Sequence, residues 1–341
     1  MNTTIATAVL ATRPLAASDL DAVVAIDAAI EGRSRSAYVQ RRLAAALREP
    51  DLHAQFAVCH GKDLVGAILA RVLHGEFGLG RPALRLEMVG VRPGERGHGA
   101  GRMLFDALTG WARRHGIVQL RTAAHWNDTT MVHWLDAMGF VLAPDLILGC
   151  AVDGRASEPE AEEQIVASAG EGPGREIDFG LPQANDFERQ ARSSPEVRAM
   201  RPEDLRAIVR IDRSITGHDR TTYIAGRLDE AMGNGAIRVS LSASRDGAIV
   251  GYLMARADLG DFGRTAPVAV IDTMGVDTGY ARQGVGRALL RELFASLDAL
   301  HVDQVETEVP WTDLAMQAFF QRNGFTPTQR LPFVRVLEAP A

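Results

Sequence analysis

Two short glycine-rich stretches decide how this chain is interpreted, and they read Arg96-Gly97-His98-Gly99-Ala100-Gly101-Arg102 and Ala281-Arg282-Gln283-Gly284-Val285-Gly286-Arg287. Each stretch follows a predicted buried strand that ends in Gly-Val, and each leads into a predicted amphipathic helix. Glycines at a helix N-terminus leave several backbone N–H groups unpaired at the positive end of the helix dipole. This arrangement is typical of a phosphate-binding site, and the flanking arginines add positive charge.

The two stretches belong to an internal duplication. An offset of 185 residues, which takes Gly99 to Gly284, aligns the chain with itself from about Ile26 to Phe140 without a gap. The aligned identities are rich in Gly, Trp, Tyr and Arg, and they include Arg35 with Arg220, Tyr38 with Tyr223, Trp126 with Trp311, and Gly139-Phe140 with Gly324-Phe325. A period of this size indicates two copies of one domain rather than a solenoid, whose repeats span about 20 to 50 residues.

The duplication predicts an N-terminal copy over residues 1–152, a linker over 153–194 and a C-terminal copy over 195–341. The linker begins with a segment rich in Glu, Ala, Gly and Ser, a composition that favours a solvated chain. Its later part carries Phe179, Leu181 and Phe187, so we expect either partial packing on a domain or a wholly loose linker. Within each copy the predicted element order is β α α β β β α β α β, an α/β fold with a mixed sheet and helices on its faces.

Composition excludes several classes of protein. The 341 residues are 46% hydrophobic and 23% charged, with a net charge of −6, so no global basic field is present for nucleic acid. Two cysteines are too few for a disulfide framework, and the histidines lack metal-ligand spacing. No apolar run is long enough to span a membrane. We therefore expect a cytoplasmic protein with no nucleic-acid partner, no membrane partner and no metal.

Known phosphate-binding loops narrow the interpretation of the two stretches. A P-loop ends in Gly-Lys-Ser/Thr and a dinucleotide fingerprint reads G-x-G-x-x-G, and neither stretch fits these patterns. The pattern Arg/Gln-x-x-Gly-x-Gly/Ala after a strand that ends in valine resembles the acetyl-CoA pyrophosphate loop of the GNAT superfamily of N-acetyltransferases. The resemblance covers both copies almost entirely, from the Val91-Arg92-Pro93 lead-in to the Gly-Phe ending of each copy.

The resemblance implies two tandem GNAT-like domains, each a mixed, mostly antiparallel sheet flanked by helices. Acetyl-CoA is then the co-substrate, with its pyrophosphate on the loop N–H groups and its thioester in a V-shaped opening between two parallel strands. A backbone N–H near Val91 or Val276 would polarise the thioester carbonyl, and an amine would attack directly. The cofactor-binding residues that the resemblance implies are Val91, Arg96, Gly97, His98, Gly99, Ala100, Gly101 and Arg102, and in the other copy Val276, Ala281, Arg282, Gln283, Gly284, Val285, Gly286 and Arg287.

The chain departs from the family pattern in two places. The tyrosine that often protonates the thiolate is replaced by Leu135 in the N-terminal copy and by Phe320 in the C-terminal copy, so the general acid is unidentified. The Arg or Gln that opens the loop is Arg96 in the first stretch but Ala281 in the second. The N-terminal copy therefore has the more regular cofactor loop.

The acceptor side favours the other copy. Asp272 lies on the predicted central strand of the C-terminal copy, and Glu306 and Glu308 share one face of the neighbouring strand by period-two alternation. Half-buried carboxylates near one another have raised pKa values and can bind a cationic amine and take its proton. In the N-terminal copy only Glu87 remains at the matching positions. The alternatives are a structural hydrogen bond for Asp272 and a solvated edge for the two glutamates.

The segment between the first two helices also differs between the copies, as Glu31-Gly32-Arg33-Ser34-Arg35 against Thr216-Gly217-His218-Asp219-Arg220. In the family this region often covers the acceptor. Two interpretations of Arg35 and Arg220 are open: they belong to that cover, or they face solvent beside an N-terminal helix cap.

These patterns predict an acetyl-CoA-dependent N-acetyltransferase that acts on a primary amine, with the C-terminal copy favoured for catalysis. One alternative is a non-catalytic acyl-CoA-binding sensor or scaffold. Another is a division of labour, with one catalytic copy and one structural cofactor-binding copy. The expected partner is a small-molecule or peptide amine, and the expected assembly is a monomer with pseudo-dimeric domains or a homodimer.

Overall fold

The computed structural model describes residues 9–152, 195–233, 238–258 and 268–337. The predicted linker over 153–194 lies outside the described residues. Two compact units divide the chain: one takes Met1–Cys150, Asp258–Val268 and Glu306–Ala341, and the other takes Ala151–Ala257 and Ala269–Val305. The end of the chain therefore folds with its beginning.

The N-terminal copy follows the predicted order of elements. Gly32 ends the first helix in the left-handed region with φ of 73°, and the Asp128 side chain caps the last helix by accepting from the backbone N–H of Met131. The elements are β1 (Leu10–Pro14), α1 (Leu20–Glu31), α2 (Ser36–Arg48), β2 (His53–His60), β3 (Asp63–Leu73), β4 (Ala83–Val91), α3 (Ala100–Arg114), β5 (Gln119–His125), α4 (Thr129–Ala137), β6 (Val141–Leu142) and β7 (Asp145–Ala151).

The C-terminal copy repeats this order, with Gly217 and Asp313 in the places of Gly32 and Asp128. Its elements are β8 (Glu196–Ala199), α5 (Leu205–Thr216), α6 (Thr221–Gly233), β9 (Arg238–Arg245), β10 (Ala248–Asp258), β11 (Val268–Val276), α7 (Val285–Ala299), β12 (Gln304–Pro310), α8 (Leu314–Arg322), β13 (Thr326–Pro327) and β14 (Arg330–Val336). Among the described residues, no helix is both long enough and apolar enough to span a membrane.

The described strands form two mixed sheets of seven strands each, in the orders β1-β2-β3-β4-β5-β14-β6 and β13-β7-β12-β11-β10-β9-β8. In the first sheet β1 to β4 pair antiparallel in sequence, and β4 pairs parallel with β5. These sheets with their flanking helices confirm the predicted tandem α/β fold.

The last long strands of the two copies are exchanged. The final strand, β14, pairs antiparallel with β5 from Arg330 opposite His125 to Val336 opposite Gln119. Its counterpart from the N-terminal copy, β7, lies between β13 and β12 in the second sheet. The final strand of the C-terminal copy therefore completes the sheet of the N-terminal copy.

The first sheet is covered on both faces, as its largely buried central strands require. One face packs on α3 and α4 through a core that includes Leu86, Leu104 and Phe105. The other face packs on α1 and α2 through a core that includes Ile26, Tyr38 and Met88. Burying apolar surface on both faces fixes β4 in the middle of the unit, with its carboxyl end leading to the first glycine stretch.

Candidate functional site

The first glycine stretch keeps an open helix N-terminus. Gly97 and Gly99 have φ of 82° and 88°, a region that side chains other than glycine rarely adopt. A Cβ built on either residue would meet nothing within 4 Å, so the space beside the loop is free. Helix α3 begins after Gly99 with no side-chain cap. Its first N–H groups are therefore available to an anion at the positive end of the helix.

The second stretch has the same helix start but a different lead-in. Gly284 caps α7 with φ of 82° and no side-chain hydrogen bond, and a Cβ there would again meet nothing within 4 Å. Arg282 occupies the position of Gly97 with φ of 61°, which strains a residue that carries a Cβ. Gln283 braces the loop, since its Nε2 donates to the Gly279 carbonyl at 3.0 Å and its Oε1 accepts from Arg245.

The strands beside the first stretch are joined at one end. Within the described residues the ladder between β4 and β5 covers Leu84 opposite Leu120 and Arg85 opposite Arg121. Thr122 Oγ1 then donates across to the Leu86 carbonyl at 3.0 Å. The ladder does not extend to the carboxyl ends of the strands, where the glycine loop begins. This is the arrangement that the predicted V-shaped opening requires.

Helix α1 lies directly on the carboxyl end of β4. A Cβ built on Gly90 would come within 2.9 Å of Ile30 Cδ1 and 3.3 Å of Ile26 Cγ2, so the absence of a side chain at Gly90 lets α1 approach the strand this closely. The contact places the last turn of α1, which ends at Glu31, beside the strand that leads into the cofactor loop.

Glu87 lies where β4 bulges. The pairing of β3 with β4 moves from Leu69 opposite Met88 to Ala70 opposite Leu86, so Glu87 is the extra residue. Its side chain is buried, and its Oε1 accepts from Arg71 Nε at 2.8 Å and lies 3.1 Å from Arg42 Nη2. The charge of Glu87 is thus balanced by two arginines.

Asp272, the matching residue of the C-terminal copy, has a similar environment. It is 2% exposed, and its Oδ1 accepts from Arg256 Nη1 at 2.6 Å. A buried ion pair of this kind holds the carboxylate in one place. These contacts agree with the alternative interpretation, in which Asp272 makes a structural hydrogen bond rather than a catalytic contact.

Glu306 and Glu308 share one face of β12, because burial alternates along the strand. Glu308 Oε2 accepts from Arg121 Nη2 at 3.2 Å, and its Oε1 lies 3.8 Å from Arg85 Nη1. Arg121 also donates to Asp145. Glu308 is therefore part of a network of partly buried charges rather than of a solvated edge.

The paired arginines of the helical turns are buried, so the interpretation that they face solvent is wrong. Arg35 binds Asp27 through two nitrogens, with Nε 2.9 Å from Oδ2, and Arg220 Nη1 donates to Asp212 at 2.7 Å. Each guanidinium also lies over a tyrosine ring of the next helix, at 5.2 Å from Tyr38 in one copy. These contacts lock the turn between the first two helices.

Glu31 is a residue that the sequence did not single out. Burial raises the pKa of Glu31 above the ordinary carboxyl range, against the opposing effect of Arg35, and the negative charges of Asp27 and Asp128 raise the pKa further. Its Oε1 lies 3.7 Å from Arg35 Nη2. The C-terminal copy has Thr216 at this position, and that difference between aligned copies was the available signal.

These features fit a coenzyme A thioester. The uncapped start of α3 and the open space at Gly97 and Gly99 suit the pyrophosphate. The carboxyl ends of β4 and β5, which are not paired with each other, leave room for the extended part of the coenzyme. Leu135 and Phe320 are buried at 0% and 2% exposure, so the two positions of the missing tyrosine hold no proton donor. No group of three potential metal ligands occurs among the described residues.

The family comparison finds both copies. The profile of the Acetyltransferase (GNAT) family matches residues 20–140 and 205–325. These ranges contain both glycine stretches and end at the two Gly-Phe pairs. No curated protein matches the chain significantly.

Solved structures share the fold of the whole chain. A tandem GNAT protein from the clavulanic acid biosynthesis pathway is 21% identical with a TM-score of 0.61, over 98% of this chain and 100% of that one. A GCN5-related N-acetyltransferase from Sphaerobacter thermophilus is 17% identical with a TM-score of 0.58, over 96% and 95%. N-myristoyltransferase from Saccharomyces cerevisiae, with bound myristoyl-CoA, is 13% identical with a TM-score of 0.55, over 98% and 80%. At these identities the likeness concerns the fold.

Proposed function

The chain belongs to the Acetyltransferase (GNAT) family, and from this premise we propose that it is an acetyl-CoA-dependent N-acetyltransferase that acts on a primary amine by direct attack. The observation that carries the proposal is the open, uncapped start of α3 after Gly97 and Gly99, beside strands whose ladder stops short of that end. Backbone N–H groups in this position bind phosphate without a side-chain ligand.

The chain's own residues have defined tasks in this proposal. The loop from Arg96 to Arg102 holds the pyrophosphate, with charge added by its two arginines. The N–H of Val91, at the end of β4, donates to the acyl carbonyl as negative charge develops there. When bound, acetyl-CoA supplies an activated thioester. The thiolate takes its proton from solvent, because Leu135 and Phe320 cannot donate one.

The catalytic copy is a separate question. The sequence favours the C-terminal copy, and that prediction is untested. Two observations weigh against it: Asp272 is paired with Arg256, and Glu308 is held by Arg121. We therefore assign catalysis to the N-terminal copy. Its loop has Gly97 where the loop of the C-terminal copy has the strained Arg282. The C-terminal copy then binds acyl-CoA without chemistry, which is the division of labour that the sequence left open.

The acceptor is proposed as a small-molecule or peptide amine, and the protein as a monomer of two related domains or a homodimer. The acyl chain is a further variable. The myristoyl-CoA bound to the yeast relative shows that a protein of this fold takes a long acyl group. Acetyl-CoA, butyryl-CoA and myristoyl-CoA should therefore be compared as donors.

Isothermal titration of the full chain with acetyl-CoA counts the sites, and a thiol-reactive dye then follows release of free CoA with a panel of primary amines. We expect up to two binding events and amine-dependent release of CoA, with the acetyl group on the amine by mass spectrometry. Binding without release on any amine would favour the sensor or scaffold. Absence of binding would contradict both functions.

A further inference from the structure

Glu31 stands at the acceptor end of the proposed site. It is the last residue of α1, and the preceding residue, Ile30, reaches within 2.9 Å of where a Cβ on Gly90 would lie. Asp128, which caps α4 after the end of β5, interacts with Glu31 electrostatically. Glu31 thus directly follows the α1 residue that packs on the carboxyl end of β4, one of the two strands whose ladder stops short.

The surrounding charges distinguish Glu31 from Glu87. The neighbouring cation, Arg35, donates hydrogen bonds from two nitrogens to Asp27, and its Nη2 lies 3.7 Å from Glu31 Oε1. Arg33 on the same turn is the other nearby cation, and Asp27 and Asp128 are the nearby anions. Glu87, by contrast, accepts a hydrogen bond from Arg71 and lies beside Arg42.

We propose that Glu31 is the proton acceptor for the amine in the N-terminal copy, an inference that rests on the proposed function. As the amine nitrogen forms its bond to the acyl carbon, a Glu31 oxygen takes one proton from that nitrogen. The carbon–sulfur bond breaks, its electron pair leaves with the sulfur of CoA, and the sulfur is protonated by solvent. The raised pKa of Glu31 brings its basicity closer to neutral pH, where general bases are most effective.

The Glu31→Gln variant of the full chain tests this role. Glutamine keeps the shape of the side chain, and the pairing of Arg35 with Asp27 that locks the turn is not altered. We expect kcat to fall by about a hundredfold or more, the usual loss of a general base, and the acid limb of the pH–rate profile to disappear. The dissociation constant for acetyl-CoA should not change. Thr216→Val, the matched change in the C-terminal copy, should leave kcat within about twofold of wild type.

The melting temperature gives a second readout that does not need turnover. A carboxyl group whose pKa is higher in the folded than in the unfolded state favours the fold while it is protonated, and this stabilisation is lost as the pH rises through the folded pKa. Glu31→Gln should therefore raise the melting temperature at pH 7 relative to wild type, and do so less at pH 4. An equal shift at both pH values would contradict a raised pKa.

The outcomes separate this inference from the proposed function. If wild type acetylates an amine and Glu31→Gln keeps its kcat and its acid limb, the role of Glu31 is overturned and the function stands. If the variant loses kcat but also loses acetyl-CoA binding, Glu31 is part of the cofactor site and not the proton acceptor. If wild type releases no CoA with any amine, both proposals fail.

Discussion

The two copies keep the same cofactor side and differ on the acceptor side. Helices α3 and α7 both start after a glycine in the left-handed region, with no side-chain cap and open space beside that glycine. The last residue of the first helix differs, since it is Glu31 at the end of α1 and Thr216 at the end of α5. Backbone recognition of phosphate tolerates sequence change, whereas proton transfer needs one particular side chain. The difference therefore separates a site for binding from a site for chemistry.

The largest effects are expected from the buried carboxylates of the two central strands, Glu87 in β4 and Asp272 in β11. Glu87→Gln and Asp272→Asn each remove the charge that faces a buried arginine, Arg71 or Arg256. Breaking a buried pair on one side costs about 3–5 kcal/mol of unfolding free energy. We expect urea unfolding to show losses of this size in both variants, with kcat lowered less than about tenfold at temperatures where they are folded.

A different result would reassign the base. If Glu87→Gln retains its stability and loses kcat by about a hundredfold or more, Glu87 rather than Glu31 accepts the proton. The same result for Asp272→Asn would return catalysis to the C-terminal copy, as the sequence favoured.

Substitutions that change the backbone strain of the two glycine loops should have a smaller effect on the unfolding free energy. Arg282 has φ of 61° where Gly97 has φ of 82°, so Arg282→Gly removes strain while adding freedom to the unfolded chain. We expect a net gain of about 0.5–1 kcal/mol in unfolding free energy, because the left-handed region costs a side-chain-bearing residue about 1–2 kcal/mol. Gly97→Ala should lose a similar amount. Calorimetry measures both, and a lower melting temperature for Arg282→Gly would show that its side chain contributes more than its backbone costs.

Sequence reasoning predicted the repeated fold and both cofactor loops because these depend on local patterns. Glycine spacing and the apolar run of β4 are both visible within a few residues. The partners of Asp272 and Glu308 were not predicted, since Arg256 and Arg121 lie on other strands. Period-two alternation placed Glu306 and Glu308 correctly on one face but carries no information about what that face meets.

The exchange of β7 and β14 between the two sheets could not be predicted from the sequence either. The two strands occupy matching positions of the duplicated copies, so β5 can pair with either by the same register of backbone hydrogen bonds. Only the tertiary structure selects one of them. The raised pKa of Glu31 has a similar origin, since it depends on burial and on Asp128, nearly a hundred residues away.

One matched set of loop variants determines whether the chemistry belongs to the N-terminal copy. Aspartate and asparagine have nearly the same shape, and both are enriched in the left-handed region. Gly99→Asp compared with Gly99→Asn, and Gly284→Asp compared with Gly284→Asn, therefore isolate the effect of a charge at each phosphate site. Two like charges about 4 Å apart near a surface repel by about 1–4 kcal/mol, or about tenfold and more in affinity. The measurement is kcat/KM for acetyl-CoA. We expect kcat/KM of Gly99→Asp to be at least about tenfold below that of its asparagine control, while Gly284→Asp matches its own control. The reverse result would assign the chemistry to the C-terminal copy.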